Sequence, residues 1–347
     1  MKATVLDSLN RGLIEALQTN PQVFLLGEDI LDPYGGAFKV TRGCSTACPQ
    51  QVIPTPISEA GLAGIAAGMA LRGLRPVLEI MFGDFLTLLA DQLINHIAKF
   101  RWMYNDSVSV PLVVRTPMGG RRGYGPTHSQ SLEKLYLGVP GLTVLAPANF
   151  SLDGFSAGEL LKNTILQTES PVLFIENKLQ YLQPLLTESD LGEFEIQTRF
   201  DPNDPDERFP LYILKIKGAP PARVTLAAYG YMAELARQAQ RALAFEEEIF
   251  TELVIPTRIA PFALQPLVES VSRTGSALLI EEGTRPLGWG AEVGVQLAEN
   301  LGDRLKNLKR LAARETPVPA AVSLEKHMLP QLEDIQETLR KMSRANG

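Results

Sequence analysis

Short apolar runs, each followed by a longer stretch with helical spacing, recur along almost the whole of this chain. That alternation constrains the fold more than any other feature. Runs that are apolar on both faces suit strands buried in a parallel sheet, and parallel strands need a crossover, usually a helix, between them. Such runs occur at 23–27, 76–81, 110–115, 142–145 and 172–175, with helical spacing at 5–17, 60–71 and 87–103. The expected fold class is α/β, a doubly wound parallel sheet. From 183 to 221 the texture turns to Pro, Asp and Gly, with room for a hairpin around 211–216. Alternation then resumes with strands at 224–229, 250–255 and 277–281 and helices at 233–245, 265–272 and 290–300. The reading gives a first domain over 1–190, a linker over 191–222, and a smaller α/β domain over 223–347.

A chain of 347 residues, 45% hydrophobic and 21% charged, can bury a full core. The formal charge of −6 and pI near 5.3 offer no basic surface for nucleic acid or an anionic membrane. The longest strongly apolar stretch, 60–71, is interrupted by Gly61, Gly64 and Gly68 and falls well short of the roughly 20 residues of a membrane span. The N-terminal stretch lacks the apolar core and cleavage site of a signal peptide, so a cytoplasmic location is expected. Cys44 and Cys48 have no second pair or nearby histidine to complete a metal set and read as reduced thiols.

Several large enzyme classes lack their minimum parts. There is no G-x-x-x-x-G-K-[ST] loop, no G-x-S-x-G elbow and no H-E-x-x-H helix. Gly288-Trp289-Gly290-Ala291-Glu292-Val293-Gly294 has the wrong spacing for a dinucleotide fingerprint and reads as a tight turn opening a helix. His96 and His327 read as structural. His128, at the end of a loop rich in Gly, Pro and Arg, suits a structural and a functional role equally. Glu59 falls where a strand end meets a glycine-rich helix, and on position alone it reads as a solvated acid at a helix N-terminus.

Taken together, the motifs say more than any one of them. Gly27-Glu28-Asp29, Tyr34-Gly35-Gly36-Ala37-Phe38, Thr55-Pro56-Ile57-Ser58-Glu59-Ala60-Gly61, Gly73-Leu74-Arg75-Pro76, His128-Ser129-Gln130-Ser131, Val139-Pro140-Gly141-Leu142, Glu281-Glu282-Gly283 and Gly288-Trp289-Gly290 recur in one family. The chain resembles the beta subunit of the decarboxylating component of 2-oxo acid dehydrogenases, thiamine diphosphate enzymes of the transketolase superfamily. The resemblance implies a pyrimidine-binding domain followed by a transketolase C-terminal domain. It implies decarboxylation of a 2-oxo acid and acyl transfer to a lipoyl group or another acceptor, carried out with an alpha subunit in a heterotetramer. A lipoyl-bearing acyltransferase is a further expected partner.

By the same resemblance, Glu59 matches the glutamate that hydrogen-bonds the aminopyrimidine ring, so that the exocyclic nitrogen can take the proton from the thiazolium carbon. Phe85 matches the aromatic packed on that ring, with Glu28, Ile57 and Met81 as further cofactor contacts. His128 matches a histidine implicated in decarboxylation or acyl transfer. The Mg2+ that holds the diphosphate usually requires a G-D-G sequence. This chain has none, so the alpha subunit is expected to supply it. Some relatives hold K+ on backbone carbonyls, which match Leu112, Thr164, Ile165 and Gln167 here; no side-chain metal site is expected.

The chain also departs from the pattern. Arg258-Ile259-Ala260-Pro261-Phe262-Ala263 replaces a common second-domain motif, and Leu88 stands where many relatives carry a polar residue joining Glu28, Glu59 and Asp91 in a carboxylate path. Gly125-Pro126-Thr127-His128 is closer to the transketolase form of that loop. An alternative reading is therefore one half of a split transketolase, with Arg121 and Arg122 available to sugar phosphates. A third is a structural subunit that has kept the fold.

Overall fold

The computed structural model describes residues 2–202 and 208–345. It divides into two compact units, 1–119 with 135–185 and 120–134 with 186–347.

The first unit begins with α1 (Val5–Thr19), whose start is fixed by a capping box in which the Thr4 hydroxyl accepts from Asp7 N and the Asp7 carboxylate accepts from Thr4 N. After β1 (Val23–Gly27), α2 (Cys44–Ala47) and β2 (Val52–Pro54) comes α3 (Glu59–Leu71). Then follow β3 (Arg75–Glu79), α4 (Phe100–Met103), β4 (Val113–Met118), β5 (Thr143–Leu145), α5 (Ala157–Gln167) and β6 (Val172–Asn177). The strands run β5-β6-β4-β3-β1-β2, all parallel, as continuous apolar runs require. β4 lies three residues later than the apolar run suggests, because 110–112 lead in as irregular chain.

The stretch 87–103 is helical, but not as one helix. It breaks into a 3-10 segment at Gly83–Leu89, a π turn at Gln92–His96, a second 3-10 turn at Ile97–Lys99, and α4. Side chains take backbone groups that a regular helix would use: the Tyr136 hydroxyl donates to the Leu86 carbonyl at 2.6 Å, and that of Thr87 donates to the Asp84 carbonyl at 3.1 Å.

In the second unit, β7 (Phe194–Arg199) and β8 (Leu211–Ile216) form an antiparallel pair. After β9 (Val224–Ala228), α6 (Gly230–Glu247) and β10 (Thr251–Pro256) come β11 (Arg258–Ala260), α7 (Gln265–Thr274) and β12 (Ser276–Thr284). The chain closes with α8 (Trp289–Leu301), β13 (Asn307–Ala313), α9 (Val322–Met328) and α10 (Leu332–Ala345). The sheet order is β13-β12-β9-β10-β8-β7, parallel except for the β7 and β8 edge.

The division differs from the sequence-based boundaries. Part of the expected linker is a strand pair that extends the second sheet, because β8 registers against β10 from Leu211↔Pro256 to Leu214↔Leu253. The segment 120–134 also belongs to the second unit, so the two units are of comparable length. The turn-rich part of the expected linker at 203–207 lies outside the described residues. No described helix is long and apolar enough to cross a membrane.

The tightest packing in the first unit is α1 on α5, where two glycines let backbones touch. A Cβ on Gly158 would lie 1.9 Å from the Ser8 carbonyl oxygen, and one on Gly12 would lie 2.2 Å from that of Gly158. The Ser8 hydroxyl accepts from Gly158 N at 2.9 Å and donates to Ser156 Oγ, whose own oxygen caps α5. Gly158→Ala must force the helices apart and is expected to destabilise the chain by about 2–3 kcal/mol, an overpacking penalty read from the shift of a urea unfolding midpoint.

Candidate active site

In the first unit, the residues singled out in the sequence gather at the C-terminal ends of the parallel strands, where open α/β sheets place ligands. Glu28 follows β1, Glu59 opens α3, and Met81 and Phe85 follow β3. α3 packs its Leu62, Ala63, Ala66 and Ala70 inward and touches the Gly83–Leu89 turn that carries Phe85.

Glu59 is not the solvated acid that its position alone suggested. It is 7% exposed, yet its carboxylate has no hydrogen-bond or ion-pair partner among the described residues. Its charge is felt by Glu28, whose pKa is raised by burial first and then by Glu59 and Asp29. Beside this pair Ile57 is 81% exposed, an apolar side chain with nothing folded over it. Met81 and Phe85 are half-buried, and Phe85 meets Phe82 edge-on with ring centroids 5.9 Å apart. Leu88 is exposed.

Beneath these residues lies a charged network that the motifs did not reveal. Arg115, 1% exposed, donates from Nε to Glu176 Oε1 at 2.9 Å and from Nη2 to Oε2 at 2.6 Å, while Nη1 pairs with Glu79. The Tyr181 hydroxyl donates to Glu176 Oε2 at 2.6 Å. Lys178, also buried, sets its ammonium 5.0 Å from the centre of the Phe82 ring.

The second unit carries His128. A hydrogen bond of 2.9 Å between Thr127 Oγ1 and His128 Nδ1 fixes the ring, which is half-buried. The same unit holds buried carboxylates. Glu133, 3% exposed, accepts the Tyr229 hydroxyl at 2.6 Å on one oxygen, while the other has no partner. Burial, with a smaller push from Glu281 and Glu282, raises its pKa to about 7. Glu281 accepts from Gly290 N at the start of α8 and pairs with Arg310 at 3.0 Å. A Cβ on Gly288 would sit 2.3 Å from Glu281 Oε2, so the glycine-rich turn makes room for a carboxylate of the chain itself.

Of the four positions matched to a potassium site, three have carbonyls that accept hydrogen bonds within the chain. The Leu112 carbonyl accepts from Val172 N at 2.9 Å, and that of Thr164 accepts from Thr168 Oγ1 at 2.7 Å. At the C-terminal end of α5, Arg75 Nη1 donates to the Ile165 carbonyl at 3.0 Å and to that of Thr168 at 2.9 Å. A guanidinium there already answers the negative end of the helix, and a cation on the same oxygen would meet its repulsion.

Comparison with known proteins adds the following. Residues 1–183 match the family model described as transketolase, pyrimidine binding domain, and residues 216–335 match transketolase, C-terminal domain. The chain is 36% identical over 342 residues to pyruvate dehydrogenase E1 component subunit beta-2, mitochondrial, of Oryza sativa subsp. japonica, covering 97% of this chain and 85% of that one. It is 31% identical over 346 residues to the 2-oxoisovalerate dehydrogenase subunit beta of Bacillus subtilis, covering 97% and 98%. Among solved structures, one titled split gene transketolase, inactive beta4 tetramer, superposes with a TM-score of 0.73 at 22% identity, covering 100% of both chains.

Two expectations arise from this geometry. Glu133 has a folded pKa above its ordinary 4.5, so its contribution to stability is complete below that value and is lost as pH rises through about 7. Glu133→Gln should therefore remove about 3 kcal/mol of the stability lost between acid and mildly alkaline pH, seen as a flatter plot of unfolding free energy against pH. Because Arg75 stands at the carbonyls, exchanging K+ for choline should leave the melting temperature unchanged, whereas Arg75→Ala should lower it by several degrees, as differential scanning fluorimetry would show.

Proposed function

Because the chain belongs to the family of 2-oxo acid dehydrogenase E1 beta subunits, with transketolase-type pyrimidine-binding and C-terminal domains, we propose that it forms half of a thiamine diphosphate site completed by an alpha subunit. The activity is decarboxylation of a 2-oxo acid, with transfer of the acyl unit to a lipoyl group or a like acceptor. One observation carries this reading: Glu59 is buried and unpartnered at the strand ends, beside a second carboxylate and an uncovered Ile57. This arrangement suits an aminopyrimidine, which offers a ring nitrogen to a carboxylate and a flat face to apolar side chains.

Thiamine diphosphate, when bound, supplies the nucleophilic carbon and the electron sink that decarboxylation needs. The part played by this chain is to hold and orient. Glu59 holds a proton on the pyrimidine ring nitrogen, and its burial strengthens that hydrogen bond. Burial, with the nearby charges of Glu59 and Asp29, makes Glu28 hold its own proton to higher pH. Ile57, Met81 and Phe85 present apolar surface to the ring and keep water from it. His128 takes the proton-transfer role on the substrate side.

A diphosphate also needs Mg2+, and the alpha subunit is the proposed source of that site and of the second pair of chains in a heterotetramer. α3 leaves Gly61, Gly64, Ile65 and Gly68 exposed along one side, and a Cβ on Gly64 or Gly68 would meet nothing within 4 Å, so this face accepts close packing. The buried, unpaired Cys44 and Cys48 accord with a cytoplasmic setting. Of the two cations that a sugar-phosphate reading relies on, Arg121 and Arg122, the first is engaged with Glu282, Pro330 and Gln331.

Co-expression with an alpha subunit tests the proposal. The reconstituted pair should decarboxylate pyruvate or a branched-chain 2-oxo acid, and turnover of xylulose phosphate without 2-oxo acid decarboxylation would sink it. In the same assay Glu59→Gln should lower kcat on the order of 10²-fold or more, with the melting temperature of the chain preserved.

A further inference from the structure

The loop that leads to His128 cannot hold its own shape. Gly119, Arg121, Gly123 and Gly125 all have positive φ, between 69° and 93°, so the segment makes no regular backbone ladder and its amides must be satisfied elsewhere. They turn to carboxylates far along the chain. Gly120 N donates to Glu282 Oε1 at 2.7 Å, Arg121 N to Glu325 Oε1 at 2.6 Å, and Gly123 N to Glu325 Oε2 at 3.2 Å. Amides of alternating handedness form a concave nest for an anion, and here the anion is the Glu325 side chain.

Glu325 is 2% exposed and sits on α9. A carboxylate buried so deeply is tolerated because the loop amides satisfy it, and removing it would strand those amides in turn. The surrounding contacts point the same way. A Cβ on Gly120 would come within 2.6 Å of Leu329 Cδ1, and one on Gly125 would touch Ala320 Cβ at 3.5 Å. Arg121 donates from Nη1 to Gln331 Oε1 at 3.1 Å and from Nη2 to the Pro330 carbonyl. The segment 320–331 is therefore the wall on which the loop is folded, and Gly125, whose carbonyl accepts from His128 N, lies just beyond the last held amide.

We infer that Glu325 is a positioning residue for His128: its two oxygens fix the backbone of the loop, and through it the imidazole, making turnover depend on the C-terminal segment. The inference rests on the role given to His128 above. Glu325 belongs to the second unit, and Glu59, the acid proposed to hold the pyrimidine, belongs to the first.

The test uses Glu325→Gln, which keeps the shape but offers one acceptor oxygen instead of two, alongside Glu325→Ala and His128→Ala, all in the full complex with the alpha subunit. Glu325→Gln should lower kcat about tenfold and leave KM and thiamine diphosphate affinity within about twofold, the signature of a lost transition-state contact. Tryptic cleavage after Arg121 or Arg122 should quicken by about the same factor as the loop opens. On a His128→Ala background, Glu325→Gln should add little further loss.

Normal kcat and normal tryptic cleavage in Glu325→Gln would overturn the inference, as would full additivity with His128→Ala. If His128→Ala is inactive while both Glu325 variants turn over normally, the positioning inference alone falls. If His128→Ala keeps full turnover, the role of His128 falls and the inference with it.

Discussion

The Arg115 guanidinium stands where none of its neighbours could bear a charge alone. Glu79 and Glu176 lie with it below the ends of β3, β4 and β6, all almost wholly withdrawn from water. Removing one member of such a buried set typically costs about 3–5 kcal/mol, since the others are left as uncompensated charges. The set works as a register lock. β3 and β4 pair Glu79 with Arg115, and β4 and β6 bring Glu176 within reach of the same side chain. Each of these strands leads into a segment described above: β3 to Met81 and Phe85, β4 to the loop before His128, and β6 to Lys178. Even the Tyr34-Gly35-Gly36 turn rests on it, since a Cβ on Gly36 would lie 2.8 Å from Glu79 Oε1.

The second unit solves a related problem differently. Three of its buried carboxylates accept from backbone amides: Glu281 at the start of α8, Glu282 at Gly120, Glu325 at Arg121 and Gly123. Amide donors confer geometry rather than charge balance, which suits irregular loops that must be held in one shape. The first unit is stiffened by paired charges at its strand ends.

How much of this was legible in the sequence follows from how local each cause is. Strands such as β1, β6, β8 and β9 announce themselves as apolar runs, and their cause lies within the run. The break in 87–103 could not be read there, because the hydroxyl that captures the Leu86 carbonyl belongs to Tyr136, 50 residues away. The placing of 120–134 depends on partners 162 to 204 residues distant. Glu79, Arg115 and Glu176 were visible as charges ending apolar runs, but only strand register shows that they meet. Glu59 needed the surrounding motif: its position suggested a solvated acid, whereas the fold leaves it only 7% exposed.

The assignment of 120–134 to the second unit bears on how the molecule comes into being. During synthesis the His128 loop leaves the ribosome long before α9 does, and its amides have no carboxylate to meet until Glu325 has emerged. Contacts of such sequence separation close slowly, because the loop entropy must be overcome before they form. The chain therefore acquires its first sheet and the residues at its strand ends early and its ordered histidine loop last, so a nascent or C-terminally shortened chain would hold the one without the other.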